Sequence, residues 1–182
     1  AVGLLEEAKS LAEDSSAVSR IAARLGTAYG FLLEPDRAYD AFYEALEHLP
    51  ADEEDQRRRL QATLLLGAFV VPGRLDVIRR LPELKALPAH DSLGGQMLQA
   101  AIAEHEMAEC DPNGKRRARA ALSDGRLIRE ANGEGALVCG WLTLLAADDE
   151  AAIESLDAAV EQAHFYGSVR ALDGLSLHIS QG

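Results

Sequence analysis

Residues 22–50, AARLGTAYGFLLEPDRAYDAFYEALEHLP, decide the fold of this chain. They carry small, aromatic and proline residues at regular positions, namely Leu25, Gly26, Tyr29, Ala38, Phe42, Ala45 and Pro50. The small side chains at Gly26 and Ala38 let two helices cross closely. The two aromatic side chains fill the space between neighbouring helix pairs, and Pro50 stops the second helix because it lacks an amide N–H. The stretch therefore predicts a helical hairpin.

The spacing resembles the 34-residue tetratricopeptide repeat, with Ala22 standing where that repeat usually opens with Trp. The same offsets recur near the end of the chain, at Gly140, Thr143, Ala152, Leu156 and Ala159. Gly174 then follows Gly140 in phase with the repeat. Recurrence at a fixed period is typical of a solenoid, in which each repeat buries its apolar face against its neighbours.

Two further hairpins are expected in the middle of the chain, although they lack the signature residues. Residues 55–71 are expected to pair with residues 73–86, and residues 92–110 with residues 112–131. The sequence thus predicts an all-α protein, a right-handed α–α superhelix of the tetratricopeptide-like solenoid type with about ten helices in antiparallel hairpins.

Residues 1–182 are expected to form a single tetratricopeptide-like repeat domain. Ala1, Leu5 and Ala8 have the spacing of a second hairpin helix, and the last residue falls soon after Gly174. Complete solenoids carry polar capping repeats at both ends. We therefore expect this domain to be a fragment of a longer chain, and we expect its exposed helix faces to favour a homodimer.

The charge of the chain bears on its partners. The net charge of −12 disfavours direct contact with nucleic acid, which needs a basic face. The basic clusters 57–59 and 115–117, the second together with Arg119, are each expected to form a solvated helix face with ion pairs along the helix. No apolar run reaches the ~18 residues of a membrane span, so no membrane contact is expected. Cys110 and Cys139 fit reduced, partly buried thiols of a cytoplasmic protein.

The sequence offers little that supports catalysis. It contains no GxxxxGK[ST] phosphate-binding loop and no GxSxG nucleophile elbow, and glycines 94, 95 and 114 are expected at helix boundaries. His105 and Glu109 would share one helix face, so a weak metal site with Glu104 and Glu106 is conceivable, but a solvated helix surface is the better interpretation. We therefore predict a protein that is not an enzyme, with no catalytic residue, no metal and no cofactor in this segment.

A binding groove is the more plausible site. In tetratricopeptide proteins the first helix of each hairpin lines a concave groove, which predicts one set of candidate binding residues here: Leu137, Trp141, Leu144, Leu175 and His178. A lone Trp beside leucines could anchor a peptide or an apolar effector, although these residues could also pack within the same chain. Thr27 and Gly30 occupy the corresponding places in the first repeat and provide no evident anchor.

Longer phrases along the chain resemble one bacterial family. They include AVGLLEEAKSLAEDSSAVSRIAARLGTAYGF, LPELKALPAHDSLGGQMLQAAIAEHEMAE and RARAALSDGRLIREANGEGALVCGWLTLLAADDE. Their order is similar to the helical segment of large ATP-binding regulators of the LuxR type. The resemblance implies ATP bound only by an upstream domain, DNA bound only by a C-terminal helix-turn-helix domain, and a middle segment that senses a small effector or a protein partner.

Two other classes of protein stay open at this point. One is a stand-alone tetratricopeptide adaptor or chaperone-type module that binds peptides. The other is a helical repeat fused to a catalytic domain. All three classes share the same fold, and a fold alone does not determine function.

Overall fold

Helices alone make up the part of the chain that the computed structural model describes, which is residues 2–69, 71–88, 90–123 and 126–129. Within these residues the helices are α1 (Val2–Leu11), α2 (Ser15–Phe31), α3 (Pro35–Glu47), α4 (Glu54–Gly67), α5 (Leu75–Arg79), α6 (Leu81–Ala86), α7 (Leu93–Ala108), α8 (Asn113–Leu122) and α9 (Arg126–Arg129). No strand occurs among them, so the predicted all-α class is confirmed for this part of the protein. None of the helices described is long and apolar enough to cross a bilayer.

Local signals in the sequence fix where the principal helices begin. The side chain of Asp14 accepts a hydrogen bond from the backbone N–H of Ala17 at 3.0 Å and caps α2. Pro35 occupies the first turn of α3, where a missing N–H costs nothing. The hydroxyl of Ser92 accepts from the N–H of Gly95 at 3.1 Å and caps α7.

The first helix pair agrees with the predicted hairpin. The Ser19 hydroxyl donates to the carbonyl of Ala45 at 2.7 Å, while Gly26, further along α2, faces Phe42, which lies earlier in α3. The two helices therefore run antiparallel. A Cβ on Gly26 would lie 2.8 Å from the Phe42 ring, so the small residue is required at this crossing.

The turn that joins α2 to α3 is a Schellman motif. The N–H of Glu34 donates to the carbonyl of Tyr29 at 3.0 Å, and the N–H of Leu33 donates to the carbonyl of Gly30 at 3.1 Å. Leu33 takes a positive φ of 58° at the position where glycine is usual. The chain then leaves the turn through Glu34 into Pro35.

The turn between α7 and α8 has the same construction. The N–H of Asp111 donates to the carbonyl of Glu106 at 2.8 Å, the N–H of Cys110 donates to the carbonyl of Met107 at 3.0 Å, and Cys110 has φ 59°. An acidic residue and Pro112 again follow. Two hairpins in the described part of the chain thus turn through the same backbone geometry with different side chains.

The predicted hairpin of residues 55–71 with residues 73–86 is wrong in its second half. Residues 73–86 form two short helices, α5 and α6, which meet at Arg80. Pro82 is the reason, since proline cannot continue a helix from the preceding turn but fits the first turn of a new one. Similarly, residues 112–131 do not give one helix, because α8 ends at Leu122 and α9 begins at Arg126.

The main partner of α4 is α7, which lies 39 residues further along the chain and runs parallel to it. The Asp55 carboxylate accepts from the N–H of Gly94 at 2.7 Å near the start of both helices. At their far ends, His105 donates to the carbonyl of Leu65 at 2.9 Å. A Cβ on Gly94 would lie 2.1 Å from the backbone oxygen of Asp55, so this contact also requires glycine.

Helix α7 lies at the centre of the main apolar core. It packs against α4 on one side and α8 on another, and α6 also contacts it. Leu98, Ile102 and the alanines 100, 101 and 103 are fully buried. Burial of this kind is the dominant favourable contribution to folding.

Candidate functional site

A pocket of about 410 Å³ opens between the α2–α3 hairpin and α4. Its lining residues come from the end of α2, the turn after it, the first two-thirds of α3, the second half of α4 and the segment that follows α4: Gly30, Leu33, Pro35, Ala38, Tyr39, Phe42, Thr63, Gly67 and Val71. None of these side chains carries a charge. The volume lies within the range of ~300–1,000 Å³ in which proteins bind small organic molecules.

The pocket exists because side chains are missing from its walls. A Cβ on Gly30 would have no neighbour within 4 Å, which leaves open space beside the end of α2. Gly67 allows the ring of Tyr39 to pack directly against α4, where a Cβ would lie 3.2 Å from the ring. Periodicity in a sequence registers the apolar residues that are present, so it gave no sign of the space beside Gly30 or of the close approach at Gly67.

Tyr39 is the one strongly polar group buried in the pocket wall. Only 3% of this residue is exposed, and its hydroxyl oxygen has no hydrogen-bond partner among the described residues. Leaving a buried hydroxyl unpaired costs roughly 1–3 kcal/mol. Burial raises the pKa of Tyr39 to about 12, with a further contribution from Asp76, so the phenol keeps its proton at neutral pH.

Charged groups lie around Tyr39 but not in the pocket lining. The guanidinium of Arg74 stands over the Tyr39 ring, 4.9 Å from its centroid. Arg74 also forms an ion pair with Asp40, so its positive charge is already compensated. Asp76 adds a second carboxylate nearby. The electrostatic surroundings of the pocket therefore offer no uncompensated cation.

Leu33, which lines the pocket, is the last of three consecutive exposed apolar residues, Phe31, Leu32 and Leu33, which together we call the rim. Phe31 is 77% exposed and Leu33 is 87% exposed. Three consecutive exposed apolar residues at the mouth of an apolar pocket mark a surface suited to binding. The prediction that the first repeat has no evident anchor at Thr27 and Gly30 therefore overlooked this pocket, of which Gly30 forms part of the wall.

The predicted groove residues lie elsewhere in the chain. Leu137, Trp141, Leu144, Leu175 and His178 all fall outside the described residues. They stay candidates on the basis of the sequence.

The interpretation of this helix face as a solvated surface is wrong for His105 and Glu106, which are buried, whereas Glu109 is exposed as expected. His105 is 5% exposed, its ring stacks on Phe69 with centroids 4.1 Å apart, and its Nε2 donates to the carbonyl of Leu65. Burial lowers the pKa of His105, so the imidazole is neutral. The reason is that α7 is enclosed by other helices and has little surface of its own. Among the described residues, no group of His, Cys, Asp and Glu is arranged to hold a metal ion.

The first basic cluster also differs from its predicted role. The expected ion pairs along the helix are present, from Arg58 to Glu54 at 2.8 Å and from Arg59 to Asp55 at 2.7 Å. Arg58, however, is only 3% exposed and also donates to the carbonyl of Pro88 at 2.9 Å. It therefore fastens the segment after α6 to α4 and is not part of a solvated face.

The second basic cluster also combines an exposed arginine with one that contacts the interior. Arg116 is exposed and donates to the side chain of Asn113 at 2.8 Å. Arg117 turns inward and pairs with the buried Glu106, with Nε to Oε2 at 2.9 Å. Within each cluster, therefore, one arginine belongs to the interior contacts of the fold.

Cys110 is exposed and forms no disulfide, so the prediction of a partly buried thiol is wrong for this residue. The Schellman turn places it outside the helix end. Cys139 lies outside the described residues.

No family model, curated protein or solved structure matches this chain. The apolar pocket and its rim are therefore the basis for a functional proposal.

Proposed function

We propose that this chain is a non-catalytic helical-repeat segment that binds a small effector or a protein partner, within an ATP-dependent transcription regulator of the LuxR type. The observation that carries the binding part is the apolar pocket between the α2–α3 hairpin and α4, with its exposed apolar rim. The assignment to a regulator depends on the resemblance of the sequence phrases, and the superhelical arrangement depends on the repeat spacing.

The two Schellman turns give the repeat proposal some support. They occur after α2 and after α7, each at the end of the first helix of an antiparallel pair. Helical repeats place equivalent turns on one edge of the structure. In this proposal the segment binds its ligand, and other modules of the longer protein bind ATP and DNA.

Sequencing the reading frame on both sides of residues 1–182 tests the assignment to a regulator. We expect a GxxxxGK[ST] loop upstream and a basic helix-turn-helix downstream. A catalytic domain of another kind on either side, or neither of the two modules, would contradict the proposal. In the full-length protein, Gly30→Leu should abolish the response to effector while ATP and DNA binding stay intact, because the substitution fills only the pocket.

A stand-alone peptide-binding adaptor is the second candidate, and the exposed corner Phe31–Leu32–Leu33 favours it. In this interpretation an apolar peptide covers the corner, in the way that peptides place apolar side chains against the grooves of many adaptor domains. Isolation of a complete protein in which this domain has no flanking modules would favour the adaptor over the regulator.

A further inference from the structure

The apolar surface at the end of the α2–α3 hairpin is larger than the pocket alone. Leu33 lines the pocket, whereas Phe31 and Leu32 lie outside its lining and are 77% and 57% exposed. A small molecule that fills the pocket leaves these two side chains in water. A peptide that places one apolar side chain in the pocket covers the rim with the next ones and removes more apolar area from water. The extent of this surface therefore favours a peptide over a small molecule.

Exposed carboxylates border this apolar surface. Asp36 directly follows the lining residue Pro35 at the start of α3. Asp40 follows the lining residue Tyr39 one helical turn later, and both aspartates are exposed. Asp76 on α5 is exposed as well and lies close enough to Tyr39 to act on it electrostatically. The pocket lining is uncharged, but negative charge lies beside it on two helices.

Two arginines lie near these carboxylates, and both are already paired. The guanidinium of Arg37 lies 2.8 Å from the carboxylate of Glu34 and 3.0 Å from that of Glu6, so one positive charge serves two negative ones. Arg74 forms its ion pair with Asp40. The two arginines therefore leave a surplus of negative charge around the pocket.

Asp36 and Asp76 carry this surplus. Neither carboxylate forms an ion pair with a residue in the described part of the chain. Lysine or arginine next to the apolar residues of a partner would complement these two charges. An acidic partner would be repelled, because bringing like charges together costs free energy. The charge distribution therefore favours a basic partner.

We propose that the pocket and the rim bind a peptide segment of a partner protein in which apolar residues are flanked by lysine or arginine. One apolar side chain of the peptide enters the pocket and contacts Ala38 and Phe42, and the following ones cover the rim. The basic residues on either side face Asp36 and Asp76. This inference rests on the proposed binding function and specifies the chemistry of the partner.

Three synthetic peptides with an N-terminal fluorescein test the proposal by fluorescence anisotropy with the 182-residue chain. The first, KKLLFLKK, has apolar residues between lysines. The second, EELLFLEE, keeps the apolar residues and reverses the charge. The third, KKSGSSKK, keeps the lysines and removes the apolar residues, so it measures the general attraction of a basic peptide to an acidic chain. We expect the first peptide to bind at least about tenfold more tightly than either of the others.

Paired substitutions separate the local carboxylates from the net charge of the chain. Asp36→Asn combined with Asp76→Asn should weaken binding of KKLLFLKK by roughly threefold to tenfold, since each exposed ion pair contributes little. Glu13→Gln combined with Asp52→Asn is the matched control. It removes the same charge at the other end of the α2–α3 hairpin, before α2 begins and after α3 ends, and should change the affinity by less than about twofold.

Two further variants locate the apolar contacts. Gly30→Leu fills the open space in the pocket and should abolish binding, whereas Gly3→Leu on α1, where a Cβ also meets no neighbour, should leave it unchanged. Phe31→Ser combined with Leu32→Ser removes the part of the rim outside the pocket and should weaken binding by roughly tenfold. Urea denaturation without peptide checks that each variant folds. If Gly30→Leu does not fold, the exposed aspartates decide the question.

Several results would overturn the proposal. These are no binding of KKLLFLKK, equal or tighter binding of EELLFLEE, equal binding of KKSGSSKK, and a loss of affinity in the double aspartate variant no greater than in its control. Unchanged affinity in a folded Gly30→Leu variant would have the same meaning. None of these results affects the sequencing test of the flanking modules, so failure of the partner chemistry and failure of the regulator assignment are distinguishable.

Two other results would assign the surface to a different occupant and also overturn the proposal. Unchanged affinity in the Phe31→Ser, Leu32→Ser variant would limit binding to the pocket, which a small apolar cation could fill. A dimer of the chain at low ionic strength that the same variant abolishes would assign the rim to a second copy of the chain.

Discussion

Leu33 and Cys110 hold a backbone conformation that normally belongs to glycine. Their φ angles of 58° and 59° bring Cβ close to the following carbonyl oxygen, which costs roughly 1–2 kcal/mol for an L-residue. Neither side chain is buried in compensation, since Leu33 is exposed and Cys110 is exposed. At Leu33 the exposed side chain is part of the pocket lining.

Replacement of either residue by glycine should stabilise the chain. We expect Leu33→Gly and Cys110→Gly each to raise the free energy of unfolding by about 1 kcal/mol, measured by urea denaturation. Leu33→Ala is the matched control, because alanine keeps the strained angle and should give no such gain. An unchanged urea midpoint for both glycine variants would show that these turns are not strained.

Gly26 and Gly30 lie one turn apart on α2 and should respond to alanine in opposite directions. Gly26→Ala places a methyl group 2.8 Å from the Phe42 ring and should lower the free energy of unfolding by about 1–3 kcal/mol. Gly30→Ala meets no neighbour and should raise it by up to about 1 kcal/mol, since alanine favours the helix. Thermal unfolding of both variants checks this, and a destabilised Gly30→Ala would refute the local account.

At the scale of helices, a buried ion pair joins α6, α7 and α8. Glu106 of α7 is enclosed, and it receives hydrogen bonds from Arg117 of α8 at 2.9 Å and 3.1 Å. Lys85 of α6 lies 3.1 Å from the same carboxylate. Burial alone would raise the pKa of Glu106, but the two cations outweigh it and the pKa lies below its ordinary value of 4.5.

This ion pair should make stability depend on acid pH. The pKa of Glu106 is lower in the folded chain than its ordinary value of 4.5, which applies to the unfolded chain. The ionised carboxylate therefore contributes its full stability above pH 4.5, and this contribution is lost as the pH falls through the folded pKa. Arg117→Met should lower the free energy of unfolding at neutral pH by roughly 2–3 kcal/mol, less than the ~3–5 kcal/mol of a fully broken buried pair because Lys85 stays. Urea denaturation from neutral to acid pH should show a shallower loss of stability for Glu106→Gln, and equal slopes would contradict the assignment.

How far the sequence predicts these elements depends on how local their causes are. The α2–α3 hairpin was predictable, because Gly26, Ala38 and Pro35 act within one pair of helices. The pairing of α4 with α7 was not, since the buried Arg58 and His105 look like ordinary surface residues until their neighbours are known. The break at Arg80 could have been read from Pro82, but the repeat pattern favoured one continuous helix.

At the scale of the whole molecule, helices that run parallel to each other are neighbours. Helix α4 runs parallel to α7, and α1 runs parallel to α3, with Lys9 paired to Glu44 at 2.6 Å and Arg37 to Glu6 at 3.0 Å. The directions of these helices were predictable from antiparallel hairpins, whereas the contacts that join α4 to α7 were not. The pocket was not predictable, because its lining comes from three helices, with Gly30 on α2 and Gly67 on α4, that come together only in the folded chain.

The exposed corner Phe31–Leu32–Leu33 also has a consequence for the protein in concentrated solution. Copies of the chain, each with a net charge of −12, repel one another over a distance set by ionic strength, about 30 Å in 0.01 M salt and about 3 Å in 1 M salt. Added salt should therefore let the corners meet, so that light scattering rises with salt and stays low for a Phe31→Ser, Leu33→Ser double variant. The solubility of the chain then depends on charge repulsion that keeps the apolar corners of different copies apart. A buffer of low ionic strength should therefore limit aggregation best.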